Sequence, residues 1–176
     1  MSLHRPRALD DEGVSLIELI VYFLLASLVV LTTASILINS FTTQRNVSSV
    51  TQATSRGQGM GAIIERAVRN SVAYEIASDG TWLKVQTTLG GNLKCQGFSL
   101  TTGEARLSQS ASMLASPSNW TTWTQGVQPQ GTTRYFTESG ERVVYTFDLS
   151  TSGGSVRITG DAEPRSVAIG SSGGCW

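Results

Sequence analysis

From Leu19 to Ile38 the chain carries twenty consecutive residues with no charge, no proline and no glycine. At about 1.5 Å per residue such a run makes a helix that spans the roughly 30 Å hydrocarbon core of a bilayer. Its N-terminal flank reads Glu12-Gly13-Val14-Ser15-Leu16-Ile17-Glu18, so a single carboxylate stands at the head of the apolar segment, five residues after a glycine. A secretory signal peptide puts its cleavage site after the apolar region. Here the small residue beside the charged flank, Gly13, lies before it, so a cut there would leave the apolar helix on the mature chain. A carboxylate near hydrocarbon costs up to a few kcal/mol unless it stays at the interface or finds a partner. Cutting after Gly13 creates a positive amine on Val14, four residues and about one helical turn from Glu18. The other reading of Glu18 is an interfacial residue hydrated by lipid headgroups.

This arrangement resembles the class III signal of type IV prepilins and the related pseudopilins. The resemblance rests on glycine, glutamate and an uninterrupted span at the right spacing, and covers Glu12 to Ile38 of a 176-residue chain. It implies a leader, residues 1–13, that a prepilin peptidase removes after Gly13 before methylating the new terminus at Val14. It also implies that Glu18 neutralises an N-terminal amine, within one subunit or between neighbours in a growing filament. Val14 departs from the phenylalanine most usual at that position, and Asp10-Asp11-Glu12 replaces the basic residues many prepilins have there. The first proline after the leader is Pro117, so the proline common in the membrane half of such helices is missing.

Beyond Ile38 the helical period continues in polar surroundings. Val47, Val50, Ala53 or Thr54, Gly57, Met60 or Gly61, Ile64, and Ala67 or Val68 form a narrow apolar stripe. One helix from Val14 to about Ser71 follows, near 85 Å long at about 1.5 Å per residue. Two stretches weaken it. Asn39-Ser40-Phe41-Thr42-Thr43 is poor in helix formers, and Gly57, Gly59 and Gly61 each cost about 1 kcal/mol relative to alanine. The expectation is bending or fraying near one of them, or a sheet packed closely on the bare glycine backbone. Gly57-x-Gly59-x-x-Ala62 imitates a dinucleotide fingerprint, but no strand precedes it.

From Tyr74 the period becomes two. Strands are expected over 72–77, 81–87, 93–100 and 104–108, separated by Ser78-Asp79-Gly80, Gly90-Gly91-Asn92 and Thr101-Thr102-Gly103. Residues 117–125 read as a loop entering a short helix, capped by Ser118 or Asn119, with Trp120 and Trp123 on one face. That face is either an aromatic ligand surface or core packing beneath the sheet. Ser139-Gly140 marks a hairpin between 134–138 and 142–149, with Tyr145 and Phe147 on one side and Val144 and Thr146 on the other. A last strand pair is expected over 156–159 and 166–169. Arg134, Arg142, Arg157 and Arg165 fall one to a segment here, either as a basic stripe for DNA or as solvated charges.

Composition narrows the function classes. The full chain has 13 basic and 13 acidic residues; losing Arg5 and Arg7 with Asp10, Asp11 and Glu12 leaves 11 against 10. No electrostatic footprint for nucleic acid follows. The only histidine, His4, lies in the leader, so the mature chain has no imidazole for a triad or a zinc site. No catalytic residues, metal ligands or cofactor are expected, and the chain does not read as an enzyme. Cys95 and Cys175 either stay free or close a loop of about 80 residues, worth about 4–5 kcal/mol by loop-closure entropy. The pilin resemblance favours a bridge near the C-terminus.

The expected fold is α+β and pilin-like: residues 14–38 as the transmembrane and assembly half of the helix, 39–73 as its exposed half, and 74–176 as an antiparallel β-rich head. The resemblance implies a single-pass inner-membrane protein, with its head outside the cytoplasm, that later enters an extracellular pilus. Its partners would be other pilin subunits, the prepilin peptidase and the assembly platform protein in the membrane. The reading is a minor type IV pilus subunit that primes or tips the fibre. A minor pseudopilin of a type II secretion system, and a pilus-borne adhesin or DNA-uptake module binding through Trp120 and Trp123, are the alternatives.

Overall fold

The computed structural model describes residues 15–165 and 174–176. The chain is α+β with a pilin-like architecture: one long N-terminal helix, α1 (Leu16–Arg69), followed among the described residues by nine strands in antiparallel sheets. It divides between Gln44 and Arg45 into two compact units.

The first unit is apolar helix. From Ser15 to Gln44 every side chain is exposed except the half-buried Ser27, and the segment is long and apolar enough to cross a membrane. Several of its hydroxyls bond within the helix. Ser27 donates to the Leu24 carbonyl at 2.8 Å, Thr33 to Val29 at 2.8 Å and Thr42 to Ile38 at 3.0 Å. Such back-bonding satisfies polar groups that an apolar surrounding would leave unpaired.

The second unit begins with the rest of α1. Its buried face is Ala53, Gly57, Met60, Gly61, Ile64, Ala67 and Val68, which is the stripe read from the sequence apart from its start, since Val47 is 60% exposed. The helix stays unbroken through both weak stretches. It ends with its last carbonyls occupied: the Asn70 carboxamide donates to Arg66 at 2.7 Å and the Arg165 N–H to Arg69 at 3.2 Å. Arg66 and Arg69 in the last turn complement the negative end of the helix dipole.

Five strands then form a meander in sequence order: β1 (Ser71–Ile76), β2 (Trp82–Thr87), β3 (Lys94–Thr101), β4 (Glu104–Ser110) and β5 (Thr121–Gln125). The β1–β2 turn is set by Asp79, whose carboxylate accepts from the Thr81 N–H at 3.0 Å and its hydroxyl at 2.8 Å. Those donors hold its carboxyl below the usual range. Gly80, at φ +73°, is required there, because a Cβ would run into Arg134 and the Phe136 carbonyl. In the second sheet β8 (Arg142–Thr151) is central. The strand β9 (Gly154–Ala162) pairs along one edge, and β6 (Val127–Gln128) and β7 (Phe136–Ser139) share the other.

Period two decides which side chains enter the core. Along β8, Val143, Tyr145, Phe147 and Leu149 are buried while Val144 and Thr146 are only half-buried, as the hairpin reading expects. They join Ile64 and Val68 of the helix and Leu83, Val85, Phe98 and Leu100 of the meander in one cluster. The sheet reaches the helix at its glycines. A Cβ on Gly57 would overlap Ile158 and crowd Leu149; one on Gly61 would overlap the Tyr145 hydroxyl. Of the expectations for the glycine stretch, close packing is the one realised, for Gly57 and Gly61.

Residues 117–125 differ from expectation. A 3-10 turn, Pro117–Asn119, leads into β5 rather than into a helix, and Ser116 holds the N-cap position without a side-chain cap bond. The run Thr121-Thr122-Trp123-Thr124 is β-branched or aromatic, so it joins the free edge of β4 once the turn delivers it there. The two-residue β6 carries too little pattern to be foreseen. Of the expected last strand pair, β9 is present and residues 166–169 lie outside the described residues.

Candidate functional site

The helix start carries the chemistry that the sequence points to. Glu18 is the only charged residue from Ser15 to Gln44. It lies in the first turn of α1, where backbone N–H groups favour a negative charge. Its carboxylate accepts a hydrogen bond from the Tyr22 hydroxyl at 3.1 Å. Among the described residues this is its one donor, which leaves most of the acceptor capacity of a carboxylate unused, since its two oxygens offer about four lone-pair directions. The site is therefore an exposed carboxyl group, oriented by a phenol one turn on, at the head of an exposed apolar helix. Gly13 and Val14 lie outside the described residues.

Tyr22 was not singled out in the sequence. The signal was available: a carboxylate and a phenol at i and i+4 meet on one helix face.

The remaining sequence candidates sit in the head. Cys95 and Cys175 are joined in a disulfide, with Cα atoms 5.5 Å apart. The bridge lies on the face of the meander opposite the helix. There Leu114, Trp120 and the two sulfurs form a second core cluster with the partly buried Trp82 and Trp176. The Leu114 N–H donates to the Cys175 carbonyl at 3.0 Å, so the chain end is held by a covalent and a hydrogen bond.

Trp120 and Trp123 do not share a face. Three residues apart across the entry to a strand, they point to opposite sides of the sheet. Trp120 is 4% exposed, its ring against Gly97 and its indole N–H donating to the Ala115 carbonyl at 2.9 Å. Trp123 is half-buried on the helix side, its ring centroid 6.0 Å from that of Phe98. The joint aromatic surface drawn from a helical spacing is therefore replaced by two separate packing roles.

The basic stripe, one of the two readings of Arg134, Arg142, Arg157 and Arg165, is interrupted by carboxylates at Arg142 and Arg157. Arg142 contacts Asp161 at 3.2 Å and Glu163 at 3.4 Å, and Arg157 contacts Asp148 at 3.1 Å. Two of its four members thus carry counter-charges at the surface. Two tyrosines make buried or half-buried links instead. Tyr145 donates to Glu65 at 2.9 Å, and burial first, then that carboxylate, pushes its phenol well above the usual value. Tyr74 donates to Glu138 at 2.5 Å, and burial with Glu138 raises it to about 12.

Among the described residues no three His, Cys, Asp or Glu side chains are grouped to hold a metal ion. No protein-family model matches the chain, and no curated protein or solved structure matches it. The pilin-like architecture therefore stands on the geometry described above.

Proposed function

We propose that this chain is a structural subunit of a type IV pilus, cut by a prepilin peptidase after Gly13 and N-methylated at Val14. Residues 14–38 hold the processed subunit in the inner membrane, with the head outside the cytoplasm, until an assembly platform moves it into the fibre. In the fibre the same apolar surface packs against other pilin helices, and Glu18 takes up the N-terminal amine of a neighbour.

The observation that supports this reading is the exposed apolar helix with a carboxylate at its start that, among the described residues, bonds only to a phenol. The helix runs without a break into a β-rich head. An anchor alone needs the apolar run but has no use for a carboxylate whose single partner is a neutral phenol. A filament joint uses both.

The test separates processing from assembly. Glu18→Ala should leave cleavage after Gly13 intact, seen as the mobility shift of the mature chain, while removing the subunit from sheared filaments. Glu18→Gln should behave alike, since it keeps the Tyr22 contact but loses the charge. Normal incorporation of either variant would refute the assignment.

A further inference from the structure

The head holds a polar cleft that the filament role does not use. Helix α1, the end of β5 and the end of β8 surround a solvent-open cavity of about 190 Å³. That is room for roughly six waters at about 30 Å³ each, or for one monosaccharide unit. Its base is apolar and fixed, formed by Ala53 and Leu149, which are 8% and 3% exposed. Its walls carry Gln52, Arg56, Thr124 and Gln125. Gln52 and Arg56 are i and i+4 on one helix face, so both reach the same opening. Gln125 is held by the turn that follows it, where Gly126 (φ +83°) donates to the Gly103 carbonyl at 2.8 Å and accepts from the Ser150 N–H at 2.8 Å.

Among the described residues these wall groups have little to bond. Gln52 makes only a 3.5 Å contact, with the Ser48 hydroxyl. Arg69, Arg106, Arg142 and Arg157 each meet a carboxylate. Among the described residues Arg56 forms no ion pair, as is also true of Arg45, Arg66, Arg134 and Arg165, and no acidic residue is among those lining the cleft. An exposed guanidinium at the rim of a polar recess, without a counter-ion, is suited to a carboxylate or phosphate bound through two parallel N–H bonds. Two carboxamides and a hydroxyl around it supply both donors and acceptors. No aromatic ring lines the cleft, so a neutral sugar has nothing to stack on, and selection falls to charge and hydrogen bonding.

We infer that this cleft is a binding site for an acidic sugar of the hexuronate class. Arg56 takes the carboxylate, and Gln52, Thr124 and Gln125 take ring hydroxyls. This goes beyond the filament reading and does not depend on it, because every wall group belongs to the Arg45–Trp176 unit.

The experiment is a calorimetric titration of the full chain in lipid nanodiscs with glucuronate, glucose and glucose 6-phosphate. The expected result is saturable glucuronate binding, with glucose weaker by about tenfold or more, the loss of one charge-assisted pair, and glucose 6-phosphate no tighter than glucuronate. Arg56→Gln should reduce glucuronate binding to the level of glucose without changing the melting temperature, because Arg56 is exposed. Gln125→Ala should weaken both sugars together. No saturable binding, equal binding of glucose, tighter binding of the phosphate, or full binding by Arg56→Gln would each overturn the proposal.

Discussion

Replacing Gly57, Gly59 and Gly61 one at a time with alanine separates three effects that the sequence merges. Alanine gains about 1 kcal/mol over glycine in a helix interior. At Gly59 nothing lies within 4 Å of an added Cβ, so Gly59→Ala should be stabilising by about that amount. At Gly57 the methyl overlaps Ile158 and comes within 3.2 Å of Leu149. Overpacking of this kind costs about 1–3 kcal/mol, which leaves a net loss of up to about 2 kcal/mol after the helical gain.

At Gly61 the obstacle is the Tyr145 ring, which cannot simply move aside. A Cβ on Gly160 would also overlap its hydroxyl, so β9 closes the other side, and the hydroxyl is bonded to Glu65. Displacing the ring therefore adds the loss of a hydrogen bond to a carboxylate, about 1.5–3 kcal/mol, and brings the total to about 2–5 kcal/mol. The assay is thermal and denaturant unfolding of the full chain in nanodiscs, followed by far-UV circular dichroism. The expected order of stability is Gly59→Ala, wild type, Gly57→Ala, Gly61→Ala. If all three variants gain about 1 kcal/mol, the glycines are only weak points in a helix and the close-packing account is wrong.

Two further outcomes follow from the head. Reduction of the Cys95–Cys175 bond, or Cys95→Ser with Cys175→Ser, reopens a sequence separation of 80 residues and should cost about 4–5 kcal/mol by loop-closure entropy; an unchanged melting temperature on adding reductant would contradict this. Tyr145 and Tyr74 hold their protons in the fold above the value of 10.0 at which the unfolded chain releases them, Tyr74 to about 12. Above pH 10 the unfolded state thus binds fewer protons than the native state, and stability falls as pH rises through that window. Tyr145→Phe should flatten the decline in an unfolding series from pH 9 to 12, and an identical slope would remove Tyr145 as its source.

Elements carried by a strong period were readable in the sequence, and those created by tertiary contact were not. The helix, the first four strands and the Ser139-Gly140 hairpin announced themselves because their apolar residues recur at the spacing of the element. Residues 117–125 misled because Trp120 and Trp123 are three apart, which suits one helical face as well as two faces of a strand. What selects the strand is the free edge of β4, which no local pattern displays. Close packing on the glycine stretch was one of the expectations, but its partners at Gly57 and Gly61 were hidden, because Ile158 and Tyr145 lie far along the chain. At the helix start Glu18 was legible from chemistry alone, while Tyr22 required asking what its carboxylate touches one turn on.

The central claim is that Gly13 is cut and the chain beginning at Val14 is built into a filament. Mass spectrometry of the N-terminal peptide, from sheared surface filaments and separately from membranes, tests it most directly. The account predicts a peptide starting at N-methylated Val14 in both fractions. An intact Met1 or Ser2 terminus in both would contradict it and leave a single-span membrane protein in place of a pilus subunit.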